Sequence, residues 1–355
     1  MACVTRRTNN AYTACLLLVL AGCNAPPATS DSLPPLGESD VHFFEVGAAA
    51  ETAAVLSSDD AADDSVVLVS DDARKVWIAT ADKKFGLRVY AIDGAELISQ
   101  PVGRINNIDA LPLQENRWLL AASNRSDISI DFFVADLAAE TVSRQASVPL
   151  DLEDPYGLCM AVLDGTNYVF VGDKDGLVQQ WQVDPDLTAR ITAEHRFASQ
   201  TEGCVVDAES NHLYVGEEAT GIWQIDLANN NQTLVSIIDG KLLVADVEGL
   251  DIYRDTNRNW LLASSQGDNS YLIIDMDDDF AVIGKFRIAA NTANGIDGTS
   301  ETDGIAIFSG SLPEFPAGVF VAQDGENTAP AANQNFKIVD WRAIDAGMAN
   351  AAAPD

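Results

Sequence analysis

Histidine is nearly missing from this chain. The three present, His42, His195 and His212, share no metal-binding spacing and stand beside no nucleophile motif, which argues against a zinc hydrolase or a histidine-activated nucleophile. Basic residues are scarce too: 21 Lys and Arg face 54 Asp and Glu, for a formal charge of -33, which excludes nucleic acid as a partner. Past the N-terminus no run is apolar and long enough to cross a bilayer. No glycine-rich loop leads from a strand into a helix, so a nucleotide cradle is not expected, and no stretch has convincing helical periodicity. The acid excess alone says only that the protein is soluble and secreted or salt-tolerant.

Cysteine is also sparse, and its positions are uneven. Arg6 and Arg7 precede the apolar run Cys15 to Leu20, and the tetrad Leu20-Ala21-Gly22-Cys23 resembles a lipobox. The expectation is a signal over residues 1–22, lipidation at Cys23, and a flexible Pro/Ser/Ala-rich tether over 23–40. The protein would be exported, as a cell-envelope lipoprotein touching the membrane only through its lipid, or secreted. Of the five cysteines, Cys159 and Cys204 then remain; in an oxidising compartment they could pair, or lie buried as separate thiols.

What is abundant is one repeated hairpin. A polar start, an apolar strand, a turn, a second apolar strand and a polar end recur over 63–84, 106–125, 156–174, 202–218, 246–266 and 303–327. The second strands read VWIAT, WLLAAS, YVFVGD, LYVGEE, WLLASS and VFVAQD, spaced by roughly 42 to 59 residues, near the period of propeller blades. A further strand follows most of them. This predicts an all-β, six-bladed β-propeller over residues 41–345 with a low-complexity tail over 346–355, and ranks a β-sandwich second. The segment His42 to Val46 is expected to complete the last blade.

Equivalent strands point the same way, so the polar ends of all six hairpins should share one face. The first three bring Lys83, Lys84, Arg125, Tyr156 and Lys174; the last three bring Glu202, Glu217, Glu218, Asp246, Glu248, Gln266 and Asp303, with Asp324 and Glu326 nearby. Asp63 and Asp64 open the first blade beside the sixth. The predicted face is basic on one arc and acidic on the other, suited to a polyanion bound together with metal ions. Oxygen donors without a His or Cys cluster favour calcium or magnesium, and crowded irregular carboxylates favour calcium.

Several ordered stretches then resemble the β-propeller phytases: DDAADD at Asp59, DKKFGLRVY at Asp82, GRINNID at Gly103, ASNRS at Ala122, YGLC at Tyr156, SQTEGC at Ser199, YVGEE at Tyr214, ADVEGL at Ala245, ASSQGDNSY at Ala263, DGTSETDGI at Asp297 and NQNFKIV at Asn333. The resemblance covers about residues 51 to 342. It implies a calcium-dependent 3-phytase, a monomer that hydrolyses phytate as its calcium complex. It also implies several ions held among Glu51, Asp63, Asp64, Tyr156, Glu202, Glu218, Asp246, Glu248, Gln266, Asp297 and Asp303. Phosphate contacts would come from Lys83, Lys84, Arg125, Tyr156 and Lys174, and the catalytic set would be Lys83, Arg125, Tyr156, Lys174, Glu202 and Glu218. Ser65 stands where the family has proline, and Glu153 where some members have asparagine.

The expected mechanism is in-line attack on phosphorus by a metal-bound water, without a covalent intermediate. The alternative is a non-catalytic calcium-binding propeller, since a fold alone does not fix an activity.

Overall fold

The strands that sit second in each hairpin are buried on both faces, and their composition says why. Val76–Asp82 is buried along its whole length, and Arg117–Asn124, Thr166–Asp173 and Asn259–Ser265 are buried over their C-terminal halves. A strand packed on both sides loses the alternation of a half-exposed one and reads as a continuous apolar run. The outermost strands, by contrast, carry mostly polar residues; Thr141–Pro149 buries little besides Val142.

The computed structural model describes residues 41–351. The expected signal, Cys23 and the tether lie outside the described residues. Six sheets are arranged as a β-propeller, five of four strands and one of five, each an antiparallel meander from an inner strand outward. The inner strands are Ala62–Val69, Ile105–Pro112, Pro155–Leu163, Thr201–Asp207, Val247–Arg254 and Ile305–Phe308. Between neighbouring blades lie separate apolar clusters; one joins Leu68, Trp77 and Val89 of the first blade to Leu120 and Phe133 of the second.

The ring closes with its own beginning, although not with the expected segment. Ala50–Glu51 pairs antiparallel with Asn335–Asp340 and supplies the outer strand of the sixth blade. Phe43–Gly47 instead adds in parallel to Ala281–Ala289 as a fifth strand on the fifth blade. The segment near His42 is thus one blade away from its predicted place, because the short step from Gly47 to Ala50 carries the chain from one blade to the next. The Gln334 side-chain oxygen accepts from both Ala61 N (2.7 Å) and Ala62 N (2.9 Å), sealing the junction of the last blade with the first.

One helix, Trp341–Ala351, follows the sixth blade and runs into the low-complexity stretch that begins at 346. Its anchor is Trp341, fully buried and stacked on Tyr253 at 3.6 Å between ring centroids. Among the described residues no helix is long and apolar enough to cross a membrane.

Cys159 and Cys204 form a disulfide that ties the third and fourth inner strands across a sequence separation of 45. A closed loop of that length removes chain entropy from the unfolded state worth roughly 2–4 kcal/mol. Reduction, or the double change Cys159→Ser and Cys204→Ser, is therefore expected to lower the denaturant midpoint correspondingly; equal midpoints with and without reductant would show that the crosslink contributes nothing.

Candidate active site

Five inner strands slip register against their partners at the same place: between Ala62 and Ser65, Ile105 and Ile108, Pro155 and Leu158, Thr201 and Cys204, and Val247 and Leu250. A bulge bends the strand and re-aims a side chain out of the ladder. The side chains released are those of Asp63, Asn106, Tyr156, Glu202 and Glu248, and Asp303 holds the matching position ahead of the sixth inner strand. Each blade therefore contributes one polar residue at one level of the ring. The next position is glycine in four blades, since a Cβ on Gly157 or Gly203 would lie within 2 Å of the following blade's Glu202 or Glu248 carbonyl oxygen.

Glu202, Glu248, Asp303 and Tyr156 line a cavity of about 320 Å³ together with Asp60, Lys83, Gln266 and Gln334. Lys83 lies at its centre, with Nζ 2.8 Å from Asp60, 3.1 Å from Asp63 and 2.9 Å from Asp303. Burial alone would lower its pKa, but the charges of Asp63, Asp303 and Glu202 hold it protonated. One ammonium does not balance this group. Among the described residues the Asp63 carboxylate meets only Lys83, Glu248 Oε2 has no hydrogen-bond partner, and carboxylate oxygens of Glu202, Glu218 and Glu248 lie within 4.8 Å of one another.

Burial and crowding act on the protonation of these groups. Burial, reinforced by the neighbouring charge of Glu248, raises the pKa of Glu202, and burial with Asp303, Glu218 and Asp63 pushes Glu248 to about 8 despite its hydrogen bond with Glu202. Buried oxygens with excess negative charge and free lone pairs suit a hard divalent cation. Gln266 borders them, donating from Nε2 to Asp303 at 2.7 Å.

The cationic side is built around an aromatic ring. Lys174 Nζ lies 4.1 Å from the Tyr156 ring centroid and the Arg125 guanidinium 5.3 Å from it. Arg125 is gripped by Asp154 through Nε (2.7 Å) and Nη2 (2.6 Å), whereas Lys174 makes no ion pair among the described residues.

Two basic and acidic arcs do not describe this site. Lys83 sits among the carboxylates, not opposite them. Lys84 is absent from the cavity lining; its Nζ donates to the Ser58 carbonyl and lies 3.6 Å from Asp59. Glu217 turns away, accepting from Ser199 N (2.7 Å) and Trp223 Nε1 (2.9 Å); these bonds outweigh burial and lower its pKa. Glu51, Asp297 and Asp324 converge instead on Lys337, buried at 2.5, 2.5 and 3.1 Å from them. Asp64 faces the channel between inner strands and accepts from Ile108 N at 3.1 Å. Asp246 stays half-buried just ahead of the fifth inner strand, and Glu326 is exposed.

Asn106, Asp60, Asp154, Gln334 and Lys337 join these clusters without being expected there from the sequence. Asn106 had a signal: it opens the second hairpin as Glu202 opens the fourth.

The sequence model of the family described as Phytase matches residues 13–354. The chain belongs to the phytase family. Among curated proteins it is 36% identical over 341 residues to the 3-phytase of Bacillus subtilis (strain 168), covering 89% of this chain and 88% of that phytase. A luciferin-regenerating enzyme of solved structure matches with TM-score 0.56 at 9% identity over 82% of this chain and 95% of that one, a likeness of fold alone. In this phytase-family chain the bulge ring and its cavity fall within the matched residues.

A carboxyl whose folded pKa is raised stabilises fully only below its unfolded pKa, and that stability is lost as pH rises through the folded value. With chelator present, the melting temperature is expected to fall between about pH 5 and pH 8, and less steeply in Glu248→Gln. Parallel pH profiles for the two proteins would contradict the buried charge described for Glu248.

Proposed function

We propose that this phytase-family protein is a calcium-dependent phosphomonoesterase, acting as a monomer, that removes phosphate from phytate, myo-inositol hexakisphosphate, taken up as its calcium complex. The observation that carries this reading is the cavity, in which buried carboxylates outnumber the single Lys83 ammonium while Lys174 and Arg125 stand beside it. The identity with a 3-phytase over most of both chains supports the substrate and the 3-phytase assignment.

Asp63, Glu202, Glu218, Glu248 and Asp303 would hold the cations, with Gln266 and the Tyr156 hydroxyl at the border and Asp246 beyond. Bound there, calcium would neutralise phosphoryl charge and supply a water of lowered pKa for in-line displacement. Lys174, free of carboxylates and seated over the Tyr156 ring, is available to a phosphoryl oxygen. Of the five N–H groups of Arg125, three are engaged by Asp154 and Asn106, leaving two for phosphate. Lys83 adds positive charge at the centre. Among the described residues the lining holds no Ser, Cys or His to act as a nucleophile, which supports direct hydrolysis. Glu51 and Asp297 would hold a structural ion beside Lys337, Asp64 another at the channel, and Lys84 would serve an outlying phosphate.

The disulfide supports an oxidising compartment, and with the lipobox-like tetrad it supports export and anchoring through Cys23.

Phosphate release from calcium phytate is the test. Release is expected in calcium and its loss in chelator, with Lys83→Ala and Glu202→Ala each lowering kcat by roughly 10²–10³. No release by the wild-type protein in calcium would leave a non-catalytic cation-binding propeller.

A further inference from the structure

Asn106 is the blade-two member of the bulge ring and the one whose side chain is an uncharged amide. It is fully buried and bonded on both sides. Its Oδ1 accepts from Arg125 Nη1 at 3.2 Å, and its Nδ2 donates to Glu202 Oε1 at 3.0 Å and to Asn107 Oδ1 at 3.0 Å. On the far side of the guanidinium, Asp154 takes Nε and Nη2 as a bidentate pair at 2.7 and 2.6 Å. Asp154, Arg125, Asn106 and Glu202 thus form one continuous chain of hydrogen bonds from a half-exposed rim to the buried carboxylates.

The chemistry of an amide suits this place. A carboxylate at 106 would grip Arg125 but repel Glu202; an ammonium would do the reverse. An amide carries an acceptor toward the cation and a donor toward the anion without adding charge to a site already overloaded with it. Because the amide is buried, neither bond is traded freely for water, and an unmade one costs its desolvation.

We propose that Asn106 is a positioning residue that ties the phosphate-facing guanidinium of Arg125 to the cation-facing carboxylate of Glu202, with Asp154 fixing the guanidinium from outside. This rests on the phosphatase reading above. Its function is to hold the distance between a bound phosphoryl group and a bound cation, so that ligation on one side is felt on the other. Groups that orient a ligating carboxylate from behind commonly affect metal affinity about 10- to 100-fold.

The test uses the intact protein and two readouts: calcium affinity by calorimetry without substrate, and KM and kcat on calcium phytate. Asn106→Leu, close in volume, is expected to weaken calcium binding about tenfold or more and to raise KM. In an Arg125→Met background the same change should still weaken calcium binding but no longer raise KM, because its route to the phosphate has gone. Asn106→Ala removes both bonds without adding charge or bulk; it should weaken calcium binding and raise KM as the Leu variant does, and it serves if Asn106→Leu does not fold. Asp154→Asn should raise KM alone.

Calcium affinity and KM unchanged in Asn106→Leu, or in Asn106→Ala where the Leu variant does not fold, would overturn the proposal while leaving the phosphatase reading intact. So would an Asn106→Leu effect on KM that persists undiminished without Arg125. Failure of the wild-type protein to bind calcium or release phosphate would instead overturn the reading on which the proposal rests.

Discussion

The close approach of neighbouring blades at the bulge is the constraint on which the molecule depends. Where Gly203 faces the Glu248 carbonyl, no side chain fits between successive inner strands, and Gly249 N donates to the Asp303 carbonyl at 3.1 Å as Gly304 N does to that of Asp63 at 3.0 Å. These backbone contacts set the distance between one blade's released side chain and the next. The site is therefore built by repetition: a single irregularity, placed in successive blades, gathers residues 240 positions apart in sequence. Such a ring holds like charges together more firmly than a loop could, because moving one bulge means moving a blade.

Within that frame charge is used in two ways. Much of the acid excess is local turn chemistry: Asp93, Asp136, Asp226, Asp275 and Asp340 each accept a backbone N–H two or three residues on, at or just past the end of a third strand. A second set staples blades along the channel, where Asp109 accepts from Met160 N at 2.6 Å and Asp251 from Ile307 N at 2.5 Å. Burial pushes these two carboxyls to about 6 and about 8, offset by the bonds they receive. The carboxylates crowded about Lys83 instead take bonds from side chains, Glu202 from Asn106 and Asp303 from Gln266, and Asp63 meets the Lys83 ammonium.

The blade count and the edge carrying the site were legible because each hairpin announces itself by apolar runs between polar ends, and strand direction fixes which ends are neighbours. The placement of individual side chains was not. Glu217 and Glu218 are adjacent and both acidic, yet strand alternation turns the first toward Trp223 and leaves the second beside Glu202 and Glu248. Lys83 and Lys84 divide in the same way. Lys337 was invisible because an isolated lysine in NFKIVD reads as an exposed strand residue, whereas the fold buries it among three carboxylates. Asn106 is hidden for a different reason: an uncharged amide at the head of a strand reads as an ordinary turn residue.

The pairing of Ala50–Glu51 with Asn335–Asp340 gives the chain a schedule. A ribosome making this protein exposes the outer strand of the sixth blade nearly three hundred residues before its partner exists. Contacts so distant in sequence form slowly. Until the last strand arrives, the junction that Gln334 seals stays open and Asp303 has no fixed distance from Asp63. A nascent or truncated chain can thus assemble its early blades without gathering the full carboxylate cluster, which exists only in the finished circle.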